Sequence, residues 1–215
     1  MTRRLIPLLL AALAWLATLP ALAMDAEVAT TVQRLQGRWA EIRYTLPADR
    51  QAAAYASLAK EAERALDAHP DAAELHAWAG IVRSTQAGAS GGLAALSLVK
   101  QARAELEASL ALDPLALDGA AYTSLGALYY QVPGWPLSFG DDDRAEHYLR
   151  LGLAANPEGL DSLYFWGDYL HEQGRDALAR QALRHALDAP PRPGRERADA
   201  GRREEIRRLL AELDH

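Results

Sequence analysis

No cysteine occurs among the 215 residues. That excludes a disulfide framework and a thiol nucleophile, so the fold must rest on its apolar core. β-Branched residues are sparse beside alanine and leucine, and no segment keeps the two-residue alternation of a strand. Alanine and leucine lose little rotamer freedom in a helix, and with half of the chain hydrophobic the expectation is all-α. Positive charge is short as well. Lys and Arg number 23 against 29 Asp and Glu, a net charge of −6. This speaks against a general nucleic-acid binder, which needs clustered cations for the phosphates.

Long hydrophobic runs are confined to the beginning. "MTRR" is a positive n-region, "LIPLLLAALAWLATL" an apolar h-region, and Ala21–Leu22–Ala23 a small-residue cleavage site. The run falls short of the roughly 20 residues a transmembrane helix needs, and it is flanked and interrupted by Pro20 and Pro7. The expectation is a signal peptide at 1–23, with 24–215 forming a single mature domain in the periplasm. Its removal takes away Arg3 and Arg4 and no acid, which moves the charge to −8. Without a cysteine, no lipid anchor replaces it.

A repeat runs through the mature part. "ALDAHP", "SLALDP", "GLAANP" and "ALDAPP" end at Pro70, Pro114, Pro157 and Pro191, spaced by 44, 43 and 34 residues. Thirty-four is the length of a tetratricopeptide unit, a pair of antiparallel helices. Units are expected at 72–114, 115–157 and 158–191. Gly80, Gly126 and Gly167 are their small first-helix positions, and Pro114 and Pro157 are unit ends. The second-helix stripes are Ala102, Leu106 and Ser109, then Ala145, Leu149 and Gly152, then Ala179, Leu183 and Ala186. The two earlier units carry about ten and seven extra residues between their helices, estimated by comparison with a repeat of that length. One insert is "QAGASGGLAALSLV", whose glycines read as a flexible connection; the other follows Tyr129. A further helix pair, roughly 26–44 and 49–69, precedes the units, and Gly37 and Trp39 match the repeat only loosely. An amphipathic helix at about 195–213, with Ile206, Leu209, Leu210 and Leu213 on one stripe, is expected to cap the stack.

Familiar catalytic and metal motifs are missing. The histidines His69, His76, His147, His171, His185 and His215 contain no i, i+4 pair with a glutamate. No G-x-S-x-G is present, and "GASGG" lacks the lysine of a phosphate-binding loop. Asp141, Asp142 and Asp143 lack the alternating ligands of a calcium loop and read as a helix cap. A glycan-cleaving enzyme would need paired carboxylates across a cleft. Asp161, Asp168 and Glu172 share one helix and read instead as caps and solvated surface, as does "RREEIRR". No metal and no cofactor is expected.

The stretch "YYQVPGWPLSFGDDD" stands apart. Tyr129 occupies a repeat-core place, whereas Trp135 lies between prolines where no repeat core needs it. Prolines limit the loop's freedom, and loops carrying aromatics build recognition surfaces at low entropic cost. Tyr129, Tyr130, Pro133, Trp135, Pro136 and Phe139 are therefore the candidate ligand- or partner-binding residues.

Asp118–Leu170, with "VPGWP" followed by "FGDD", resembles the T component of TRAP-type transporters, the TatT-like family of periplasmic tetratricopeptide proteins. "GIVRSTQAGASGGLAALSLVKQAR" and "PPRPGRERADAGRREEIRRLL" are similar to that family's flanking segments. The resemblance implies a non-enzymatic protein that engages a periplasmic substrate-binding protein, forms a trimer and offers a concave cleft to an apolar small ligand. A general scaffold for envelope complexes is the alternative, and a cell-wall-active enzyme the more distant one.

Overall fold

The structure, a computed structural model, describes residues 25–214. The expected signal peptide at 1–23 and His215 lie outside the described residues. Nine helices occur among the described residues: α1 Ala26–Thr45, α2 Ala48–Ala68, α3 Ala73–Ser90, α4 Gly92–Leu112, α5 Ala116–Gln131, α6 Asp142–Ala155, α7 Leu160–Glu172, α8 Asp176–Leu187 and α9 Glu196–Leu213. No strand accompanies them, only a single bridge between Gly134 and Gly140. The protein is all-α, a stack of helical hairpins. None of these helices is long and apolar enough to cross a membrane.

Three hairpins share one packing register. A Cβ placed on Gly80 would lie 2.6 Å from Leu106 Cγ, one on Gly126 2.6 Å from Leu149 Cγ, and one on Gly167 2.7 Å from Leu183 Cγ. Each glycine thus lets a fully buried leucine of the partner helix reach the backbone, a contact worth roughly 1.5–3 kcal/mol of burial per leucine. Ala102, Ala145 and Ala179 sit one turn earlier on the same buried stripes. Pro114 and Pro157 are exposed just beyond the ends of α4 and α6, where their missing N–H costs nothing. The first pair follows a different rule. Gly37 is exposed and meets nothing within 4 Å, and the pair closes through Trp39, Ile42, Tyr55 and Leu58 instead.

The first helices of successive hairpins touch one another, α1 with α3, α3 with α5 and α5 with α7, whereas the second helices do not. The odd-numbered helices therefore form an inner, concave layer. α9 packs on α7 and α8 and also on α1, so the stack bends round until its last helix meets its first. Ile206 and Leu213 bury the expected stripe against the α7–α8 hairpin. Arg202 and Glu205 are also buried, and this corrects the reading of "RREEIRR" as a solvated face. A second side of α9 is interior because α1 covers it: Arg43 donates to Glu205 Oε1 at 2.8 Å, and Gly201 leaves room for the Tyr44 ring.

The "QAGASGGLAALSLV" insert is not a flexible connection. It lengthens α3 and α4, which meet at Gly91 and Gly92, both in the left-handed region with φ +63° and +62°. The alanines and leucines around the glycines favour helix, and Val99 is buried in the core of the second hairpin. A second left-handed element was not legible in the sequence. Leu117, Asp118 and Gly119 hold φ of 51°, 57° and 73° at the start of α5. Two of them are not glycine, a conformation that costs roughly 1–2 kcal/mol per residue.

Candidate functional site

The loop between α5 and α6 is closed by its own backbone. Gly140 N–H donates to the Pro133 carbonyl at 3.0 Å, and Asp141 N–H to the Tyr129 carbonyl at 2.9 Å. Asp141 then caps α6, its Oδ1 accepting from Arg144 N–H at 2.9 Å, while Asp142 and Asp143 occupy the first turn. Negative charge there meets the positive helix end. No group of three or more metal-ligating side chains converges among the described residues.

The aromatics of this stretch divide into two sets. Tyr129 is core: its ring stacks on Tyr148 at 5.6 Å and takes the edge of Phe139 at 5.5 Å. The Arg103 guanidinium covers Phe139 at 4.4 Å. Tyr130 donates its hydroxyl to Asp168 at 2.5 Å; burial, with Asp168 beside it, pushes this phenol well above its ordinary range. Trp135, joined to Pro136 by a cis peptide bond, stands 90% exposed at the tip, with Leu137 66% exposed nearby. Of the sequence-chosen residues only Pro133 lines the cavity described next.

That cavity is a cleft of about 740 Å³ on the concave side, walled by the inner helices, by the starts of α2 and α4 and by the chain that leads into α9. One stretch of wall is apolar: Ile81, Leu96, Val99, Leu128, Val132 and Phe165. Trp39 and Trp78 meet edge to face at 6.1 Å and connect this stretch to a polar end, with Trp39 Nε1 donating to Thr85 Oγ1 at 3.0 Å. The left-handed turn places Leu117 and Asp118 on the rim.

The polar end is built around Asp161, which was read from sequence as a solvated carboxylate. It faces the cleft with its side chain about a third exposed, 32%. Arg202 Nε donates to Oδ1 at 2.9 Å and Arg192 Nη1 to Oδ2 at 2.8 Å. Burial works against the charge, but Arg202, Arg192 and Arg195 together hold the carboxyl well below its usual range. Arg202 also reaches Glu205 at 2.6 Å and lies 4.2 Å over the Tyr164 ring. Arg192 donates in addition to the buried Asp199 at 2.6 Å. Arg195 differs from these. It makes no ion pair among the described residues, its Nε is buried without an acceptor, and its guanidinium lies 5.3 Å over Trp78. Trp78 Nε1 also lacks an acceptor. Burial, aided by the like charge of Arg192, outweighs the nearby charges of Asp161 and Asp199 and lowers the Arg195 pKa from its ordinary value.

Fold and cleft together define a helical-hairpin repeat protein with an amphipathic concave cavity. No protein-family model matches the chain, and no curated protein matches it.

Proposed function

We propose that this is a non-enzymatic binding protein, an auxiliary of a TRAP-type solute uptake system of the T-component kind. After export it engages a periplasmic substrate-binding protein and holds an apolar small ligand in its concave cleft. One observation carries the reading: the cleft has the volume of a small-molecule site and a wall of aliphatic and aromatic side chains ending in a few polar groups. A scaffold acting through its repeat surface alone has no use for such a hollow. The ionisable groups favour binding over catalysis. Both oxygens of Asp161 are occupied by guanidinium groups and its pKa is depressed, whereas a general base works best near neutrality. The leader and the "VPGWP…FGDD" resemblance favour the periplasm and a trimer. Trp135 and Leu137, exposed at the loop tip outside the cleft, suit contact with the protein partner, since an aromatic anchor commonly dominates such interfaces.

The test is affinity capture from periplasmic extract, with mass spectrometry of the co-purified proteins and of an organic extract. The expected result is a substrate-binding protein and a small hydrophobic molecule, on a bait whose sequence starts at Met24. Trp135→Ala should weaken protein capture by about 1–2 kcal/mol, roughly 5- to 30-fold, and leave the small molecule in place. Recovery of neither from a folded bait would overturn the reading.

A further inference from the structure

The charges at the polar end of the cleft do not cancel. Arg43, Arg192 and Arg202 are each paired, with Glu205, Asp161 and Asp199 as their partners. Three acids answer three guanidiniums, and Arg195 is the fourth cation of the cleft wall. Arg203, also 3.9 Å from Asp199, lines a separate hollow. Arg195 lines the cleft and is only partly exposed, so water screens it incompletely. Asp118, the other carboxylate on the cleft wall, is exposed on the rim. The buried Nε of this partly exposed cation has no acceptor, which is costly, and the guanidinium sits on Trp78, a second residue whose N–H lacks an acceptor. From this point the wall continues as Trp39, Ile81, Val99, Leu128 and Val132.

We propose that the cleft takes an amphipathic monoanion, a carboxylate bound at Arg195 whose hydrocarbon chain lies along the apolar wall. The inference rests on the reading of the cleft as a ligand site and adds the ligand's chemical class. The surplus of a single positive charge selects a monoanion. A dianionic headgroup would leave one negative charge uncompensated in a partly desolvated site, and a cationic one would oppose Arg195 directly. A carboxylate matches the planar guanidinium fork.

Titration calorimetry of the full mature protein with octanoate, dodecanoate, dodecanol and dodecyltrimethylammonium separates the terms. Dodecanoate should bind about tenfold or more tightly than dodecanol, the increment of a charge-assisted hydrogen bond. It should exceed octanoate by up to about fourfold per added methylene. Arg195→Gln should remove most of the dodecanoate advantage and leave dodecanol affinity unchanged, which also shows that the cleft is still formed. Should that variant fail to fold, the headgroup series on the unmodified protein decides alone. Equal binding of dodecanoate and dodecanol, or preference for the ammonium compound, would overturn the monoanion inference while preserving the cleft as a ligand site. Failure of all four to bind folded protein would overturn the cleft reading itself.

Discussion

Gly126→Ala adds one methyl group where α5 crosses α6. The new Cβ would lie 2.6 Å from Leu149 Cγ, 2.8 Å from Leu149 Cδ2 and 3.0 Å from the Leu149 backbone nitrogen. Carbon atoms in contact prefer about 3.5–4.0 Å, so close to 1 Å of separation must be found. Leu149 is buried to 1% exposure and has nowhere to turn. Nor can α6 slide easily, because Gly152 is packed with similar closeness onto Thr123. Overpacking of this kind costs roughly 1–3 kcal/mol, against a gain of about 0.8–1.0 kcal/mol in helix propensity from replacing glycine. The net expectation is a loss of up to about 2 kcal/mol, or up to roughly 8 °C in Tm for a domain of this size. Gly37→Ala is the internal control: with nothing within 4 Å, it keeps the propensity gain and should raise Tm. Thermal and urea melts of both variants measure the difference. If Gly126→Ala stabilised the protein as Gly37→Ala does, the glycine–leucine register of the hairpins would be refuted.

Asp141→Ala should cost about 1 kcal/mol through loss of the α6 cap, while Asp142→Asn should stay within about 0.5 kcal/mol; paired urea melts tell them apart. Asp161→Asn should destabilise by roughly 2–3 kcal/mol, below the cost for a fully enclosed pair because the side chain still opens to the cleft. Since the folded-state pKa of Asp161 is depressed, its contribution is present above about pH 4, the unfolded carboxyl value, and is lost as pH falls through the folded value. An acid titration in which wild type and Asp161→Asn lose stability in parallel would contradict this. Tyr164 has the opposite sign. Burial pushes its hydroxyl up to about 12, so its contribution holds below pH 10 and disappears as pH rises through 12, which alkaline unfolding monitored by tyrosinate absorbance can follow.

The hairpin register was legible because each glycine, its leucine and the closing proline lie within one unit, so the pattern recurs at nearly fixed spacing. The Asp141 cap was legible for the same reason: donor and acceptor are three residues apart. The cleft was not. Its walls come from four hairpins and from the chain before α9, and its polar end depends on the α1–α9 contact, where Arg43 and Glu205 are 162 positions apart. Helical periodicity identifies one buried stripe per helix. It could not reveal that α9 buries a second side carrying Arg202 and Glu205, nor that Asp161 faces inward. The left-handed turn at Leu117–Gly119 had only Gly119 as a signal. Trp135 drew attention because it is apolar in a loop, whereas the tryptophans of the cleft, Trp39 and Trp78, lie in helices and resemble ordinary core.

Closure of the stack by α9 also bears on when the cleft is complete. In an open repeat array each unit leans only on its neighbours, so folding can spread from any point and the ends can fray independently. Here the first hairpin remains incomplete until the last helix docks on it, a contact that joins the two ends of the described residues. Such contacts form late, because the loop-closure entropy is lost before they yield any stabilisation. A chain cut before α9 would therefore carry its hairpins with an unclosed cavity that lacks its arginine end.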